Sequence, residues 1–294
     1  MNINTIYIQD IRKICDNILN INMLRADVLD PVVSGNKWFK LQFYVRDALD
    51  AGKTTLATFG GAYSNHIVAT SKYGATVGLQ TVGFIRGEKP ATLSPTLTDA
   101  LQNGMTLHFV SRADFEQKEK IIADNEHPNW AWIPEGGYGV TGADGAKSML
   151  TIKDTISYDT IVCAVGTGTM MAGLIKAAAP HQKIIGISVL KNNISIEAEI
   201  KALLTVKESK KDFEIIHGYH FGGYAKHTPT LIRFMNDCYQ NSEVPLDFVY
   251  TAKLMYGVKD LASKGEFEPH ANILVIHSGG LQGNRSFKKG TLHY

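Results

Sequence analysis

Seven short runs rich in β-branched and apolar residues punctuate the chain, at 54–59, 76–85, 106–111, 131–135, 160–165, 183–190 and 273–277. Several are apolar on consecutive positions rather than on alternate ones. That is the pattern of a strand covered on both faces, and it points to a mostly parallel sheet between helical layers. Between the runs lie segments with helical spacing. The pattern predicts helices over 37–50, ending at Gly52; over 64–73, ending at Gly74; and over 170–179, ending at Pro180. Strand, glycine-bearing turn, helix, strand is the grammar of an α/β protein. The segment 201–211 is charged and reads as an exposed helix or loop.

At 294 residues the length suits two domains or one large one, each with a substantial core. Lys and Arg number 30 against 28 Asp and Glu, a net charge of +2, with no long basic run. That balance argues against nucleic acid as a partner. The longest uncharged stretches, 54–71 and 160–175, are interrupted by polar residues and glycines, whereas a membrane span needs about 20 mostly apolar residues. The N-terminus is polar and soon acidic, unlike a signal peptide. The three cysteines, Cys15, Cys163 and Cys238, are widely spaced and form no C-x-x-C pair. A reducing, cytoplasmic location is expected.

In a parallel sheet, ligands gather beyond the carboxyl ends of strands and at helix N-termini. Four such places carry chemistry. Ser34-Gly35-Asn36-Lys37 puts a lysine in a first helical turn, where the dipole disfavours it, which suggests anion binding or a Schiff base. Gly60-Gly61-Ala62-Tyr63-Ser64-Asn65-His66 sets three polar side chains at one strand end. Ser64 also reads as a plain N-cap, and no glycine follows it as a G-x-S-x-G elbow requires. The run Gly166-Thr167-Gly168-Thr169-Met170 offers free amides to a phosphate. It lacks a Walker lysine, and no acidic residue follows about 20 positions on as in a dinucleotide fingerprint. The last group is Tyr224 beside Gly222-Gly223, Tyr250-Thr251, and His277-Ser278-Gly279-Gly280. His217, His220 and His227 have no carboxylate support, so no metal is expected.

In this order and at these separations the segments resemble the fold-type II pyridoxal-phosphate enzymes. They are most similar to the branch holding 1-aminocyclopropane-1-carboxylate (ACC) deaminase and D-cysteine desulfhydrase. The resemblance runs from about residue 30 to 283 and rests on G-N-K-x-x-K-L, S-N-H, G-x-G-x-x-x-A-G and H-S-G-G. It implies a tryptophan-synthase-β-like fold of two three-layer α/β domains. Residues 1–44 and 152–294 would form the larger, cofactor-binding domain and 45–151 the smaller. It implies pyridoxal 5'-phosphate as cofactor, a small amino acid as substrate and a homodimer.

The resemblance also implies residue roles. Lys37 would bond covalently to the cofactor aldehyde. Asn65 would hold its phenolic oxygen, and Gly166, Thr167, Gly168, Thr169 and Met170 its phosphate. Thr251 would face the pyridine nitrogen, with Ser278 near the same edge. Ser64, Asn65, His66, Tyr224 and Tyr250 would meet the substrate, with Ser64, Tyr224 and Tyr250 joining Lys37 in catalysis. Phe39 stands where the family often has arginine, and Met170 where it often has a hydroxyl; Phe39 and Trp38 are candidates to reshape the pocket.

ACC has no α-hydrogen, so opening its ring favours a protonated pyridine nitrogen. A glutamate stands opposite that nitrogen in ACC deaminases, whereas D-cysteine desulfhydrases carry threonine there. A neutral Thr251 supplies no such charge. The expected reaction is therefore elimination from D-cysteine to pyruvate, ammonia and sulfide. The alternatives are ACC deamination, elimination from another D- or β-substituted amino acid, and cofactor binding without catalysis.

Overall fold

The computed structural model describes residues 2–294. Its strands are β1 (Ile8–Asp10), β2 (Asn20–Arg25), β3 (Thr55–Gly60), β4 (Gln80–Arg86), β5 (Met105–Val110), β6 (Trp130–Ile133), β7 (Thr160–Val165), β8 (Lys183–Ser188), β9 (Phe213–Ile216) and β10 (Asn272–His277). Its helices are α1 (Asn36–Asp50), α2 (Asn65–Val77), α3 (Pro95–Gln102), α4 (Arg112–Phe115), α5 (Lys118–Asp124), α6 (Val140–Lys147), α7 (Thr169–Ala177), α8 (Ile196–Lys201), α9 (Pro229–Ser242) and α10 (Thr251–Ser263).

The strands form two sheets. One has the order β1-β2-β10-β7-β8-β9, parallel except for the β1–β2 pair, and the other is an all-parallel β5-β4-β3-β6. The six-stranded sheet is buried on both sides, as its unbroken apolar runs require. In β7, Ile161, Cys163 and Val165 face a core shared with α7, α8 and Phe39, while Val162 and Ala164 face one shared with α9 and α10. The smaller sheet is covered on one face by α1 and α2 and on the other by Phe115 and Ile121 of α4 and α5. The fold is the mostly parallel α/β arrangement that the pattern implied.

Three boundaries differ from the sequence pattern. Gly74 does not end α2: the helix runs on to Val77, so Thr76 and Val77 are helical and β4 begins at Gln80. A Cβ on Gly74 would stand 2.3 Å from Thr81 Cγ2, so this glycine lets helix and strand touch. Gly78, left-handed at φ +79°, closes the helix instead. Helix α7 stops at Ala177, ahead of the residues whose backbone Pro180 constrains. The strands β1, β2 and β9 were not legible: β2 alternates Asn with apolar residues at its start, and β9 follows the charged segment, most of which is turn. No helix among the described residues is long and apolar enough to cross a membrane.

Candidate active site

The site is assembled where two turns interlock. The Ser34–Asn36 turn lies against Ser278–Gly279, with Asn36 N–H donating to Ser278 O at 3.2 Å. A Cβ on Gly35 would fall 2.0 Å from that same oxygen, and Gly35 has φ +56°, so only glycine fits. This contact brings Lys37, the second residue of α1, beside the end of β10. The ends of β3 and β7 complete the ring of segments around a cavity of about 850 Å³. That volume suits a cofactor with a small substrate.

Of the residues singled out from the sequence, Lys37, Ser64, Asn65, His66, Gly166, Thr167, Gly168, Met170, Tyr224, Tyr250 and Ser278 all line this cavity. Thr169 and Thr251 do not, and both are fully buried. Ser64 caps α2 by accepting from Ile67 N–H at 3.4 Å, and Asn65 opens that helix. Thr169 opens α7, whose first-turn amides have no intrahelical partners and face the loop at Gly166–Gly168. Gly166 leaves room for Tyr250, whose Cε1 would lie 3.2 Å from a Cβ there. Trp38 and Phe39 do not shape the pocket: Phe39 is fully buried in the core, with Trp38 packed edge-on against it at 4.9 Å.

Burial sets the protonation states. It pulls Lys37 down from the ordinary lysine value to about 8, with Glu135 opposing. Lys40, one turn on, is also buried and is pushed well below its usual value by desolvation and by Lys37; its Nζ has Gly136 O at 3.3 Å. Lys40 is a cavity residue the sequence reading passed over, although the second lysine of G-N-K-x-x-K was the available signal. Glu135 was also missed, because it reads as the last residue of the strand 131–135, although Gly136-Gly137 directly after it was an available signal. His66 is neutral, depressed by burial. Thr58 Oγ1 spends its single proton on Ile133 O, so the 2.9 Å contact with His66 Nε2 needs the imidazole to donate. That leaves His66 Nδ1 a bare, buried acceptor.

Thr251 has a hydrogen-bonding pattern of its own. Asp247 N–H donates to its Oγ1, and the hydroxyl donates back to Asp247 Oδ1, both at 2.7 Å. The same carboxylate accepts from the backbone N–H groups of Val249, Tyr250 and Thr251. The threonine proton is therefore already committed. The three histidines are dispersed in role as well: His220 Nδ1 accepts from Gly222 N–H, and His227 packs on Phe248 and Phe287.

The cavity matches a phosphorylated aldehyde. Two neighbouring lysines, Lys40 buried and Lys37 partly buried, are tolerable beside an anion, a helix N-terminus faces the same space, and Asn36, Asn65 and Gln282 each bring a buried side-chain oxygen with no partner. The family model described as pyridoxal-phosphate dependent enzyme matches residues 23–279. The chain belongs to that family.

A Thermotoga maritima protein, provisionally named 1-aminocyclopropane-1-carboxylate deaminase, is 32% identical, with 90% of this chain and 89% of that protein covered. The Arabidopsis thaliana mitochondrial bifunctional D-cysteine desulfhydrase/1-aminocyclopropane-1-carboxylate deaminase is 28% identical over 88% of this chain and 72% of its own. A crystal structure of an ACC deaminase homologue superposes with a TM-score of 0.82 at 27% identity, covering 95% of this chain and 90% of that one. The protein is thus a pyridoxal-phosphate enzyme of the lyase and deaminase type, with the fold-type II architecture.

The lysine chemistry has a measurable consequence. With Lys37 at about 8, about one amine in ten is neutral at pH 7, against about three in ten thousand for an ordinary lysine. The rate at which the apoenzyme captures pyridoxal phosphate is expected to climb about tenfold per pH unit below 8 and to level off above it. Stopped-flow absorbance reads this directly. A rate still climbing at pH 10 contradicts the depressed amine.

Proposed function

We propose that this enzyme eliminates a β-substituent from a small amino acid, with D-cysteine as the substrate class, giving pyruvate, ammonia and sulfide with uptake of one water. The observation that carries this reading is the uncharged character of the expected pyridine edge. Ser278 lines the cavity, Thr251, buried outside the cavity wall, is neutral, and the Asp247 carboxylate hydrogen-bonded to it does not reach the wall either; the carboxylates that do, Glu135 and Glu199, belong to other segments. Without a carboxylate in the cavity wall there, a protonated ring nitrogen is poorly stabilised, which suits α-proton removal and departure of a thiolate better than opening of a cyclopropane.

When bound, pyridoxal phosphate supplies the electron-withdrawing ring that acidifies the substrate's α-carbon. Lys37 would hold it, and its amine, when free, would take the α-proton, a role suited to an amine drawn down to about 8. The first amides of α2, with Ser64 and Asn65, hold the substrate carboxylate. Burial holds the Tyr250 hydroxyl well above its ordinary value, so it keeps its proton and donates it to the departing sulfur. Tyr224, half exposed at the cavity wall, packs edge-on against Tyr250 at 6.4 Å and orients the same end of the substrate.

The Thermotoga relative supports a second reading, ACC deamination to 2-oxobutanoate and ammonia. Oxo-acid release by the cofactor-loaded protein from D-cysteine, L-cysteine and ACC separates the two. Pyruvate from D-cysteine alone is the expected outcome, and oxo acid from ACC alone sinks the proposal. The proposal extends to a cytoplasmic homodimer, in keeping with three buried free cysteines. It extends also to a division into 1–44 with 152–294 and 45–151, the latter enclosing the whole four-stranded sheet.

A further inference from the structure

Lys253 has no part in the chemistry described so far, yet it occupies an expensive position. It is fully buried, and it sits in the first turn of α10, where the helix dipole opposes a cation. Burial draws its amine down to about 8, with Asp247 the one charge that opposes the shift. A methionine of similar reach would fill the space at no such cost. What lysine adds is one hydrogen bond, from Nζ to Gly223 O at 2.7 Å.

Gly223 immediately precedes Tyr224. The segment 217–228 joins β9 to α9 without regular structure, and its path is forced: Phe221 and Ala225 have φ of +50° and +52°, and Gly222 and Gly223 are also left-handed. Such non-glycine residues are strained and persist only where surroundings fix them. Three contacts from α10 help to fix the path. The Phe221 ring packs edge-on against Tyr256 at 4.9 Å, the Tyr219 hydroxyl donates to Asp260 Oδ2 at 2.6 Å, and Lys253 binds the Gly223 carbonyl, which also accepts from Lys226 N–H at 3.1 Å. Tyr250 is the N-cap residue of the same helix. One rigid element therefore carries Tyr250 and ties down the peptide that carries Tyr224.

We propose that Lys253 is a positioning residue: its hydrogen bond to Gly223 O sets the register of Tyr224 against Tyr250 across the cavity. The inference rests on the reading of Tyr224 as a substrate-facing group. The lysine side chain does not line the cavity, so it acts through the tethered peptide, whose Tyr224 and Ala225 do.

The test is a kinetic double-mutant cycle on the holoenzyme, using whichever of D-cysteine, L-cysteine and ACC it turns over, with wild type, Lys253→Met, Tyr224→Phe and the pair. Tyr224→Phe is expected to lower kcat/KM about 100-fold and Lys253→Met about 10-fold, as a misplaced catalytic group does. The double variant should fall within about twofold of Tyr224→Phe alone. Losses that multiply to about 1,000-fold overturn the proposal while leaving the role of Tyr224 intact. If Tyr224→Phe costs nothing, the role of Tyr224 is what fails. Hydrogen exchange then judges the tether by itself: Lys253→Met should speed exchange across 217–228 about tenfold while the α10 amides keep wild-type rates, and unchanged exchange refutes it. Should Lys253→Met fail to fold, Lys253→Leu, which likewise removes the donor, goes through the same cycle and exchange measurement under the same two criteria.

Discussion

Replacing Lys37 by alanine is expected to lower turnover by at least about 10⁴-fold, the scale on which an enzyme loses its covalent catalytic group. The same change should leave the fold intact. The amine is already held below its ordinary value by burial, so in the apoenzyme the charged form is a burden on the folded state. Its sign follows: a lysine with a lowered folded pKa weakens the protein wherever both states are charged, below about pH 8, and the penalty fades as pH rises from there toward 10.5. Wild-type apoenzyme should gain stability over that interval relative to Lys37→Ala, in which Lys40, Lys211 and Lys253 keep the same trend and the buried thiols of Cys15, Cys163 and Cys238 oppose it above pH 9 just as in wild type. The variant should melt no lower than wild type at pH 7. Borohydride reduction in the presence of pyridoxal phosphate should label wild type on Lys37 and leave the alanine variant unlabelled. Turnover within 100-fold of wild type, or a label elsewhere at full stoichiometry, removes Lys37 from its assigned place.

The second large effect concerns Thr251. Installing glutamate there, to imitate the carboxylate expected of an ACC deaminase, would set a second negative charge against Asp247. It would also break the two 2.7 Å hydrogen bonds between these residues in a fully buried position. An uncompensated buried charge costs about 3–5 kcal/mol, so Thr251→Glu is expected to lower the melting temperature by on the order of 10 °C. Thr251→Ser keeps the hydroxyl and should stay within about 1.5 kcal/mol of wild type. Adding Asp247→Asn to the glutamate variant relieves the like-charge contact and should recover part of the loss. A Thr251→Glu protein as stable as wild type would mean the new side chain escapes into the cavity. In that event the uncharged ring edge can be reversed by one substitution. If the expected loss is seen, neutrality at this edge is built into the Asp247 cap of α10, and converting the enzyme to ACC requires more than residue 251.

The wall of the site was legible in the sequence because its chemistry is local. A loop that can admit a phosphate needs small residues before a helix, and Gly166–Gly168 has that composition and lies in the cavity wall before α7. Ser64 is recognisable as an N-cap from its neighbours alone, and it is one. Lys40 was passed over although the second lysine of G-N-K-x-x-K announced it, whereas the significance of Glu135 and Lys253 lies in what they stand against in the fold: the cavity in one case, the Gly223 carbonyl in the other. Gly74 was misread for the same reason. A helix-ending glycine and one that makes room for Thr81 look alike along the chain.

The sequence by itself determined the α/β class and the parallel layering, because hydrophobic period and turn chemistry are set by adjacent residues, and it carried the ordered motifs whose family resemblance implied the cofactor. Only the tertiary structure decided that Trp38 and Phe39 belong to the core rather than the pocket, that the Thr251 proton is spent on Asp247, and that Lys37 titrates near neutrality. Each of these depends on desolvation or on a partner distant in the chain or reached only through the folded turn. Burial and hydrogen-bond pairing are properties of the packed molecule, and no local pattern encodes them.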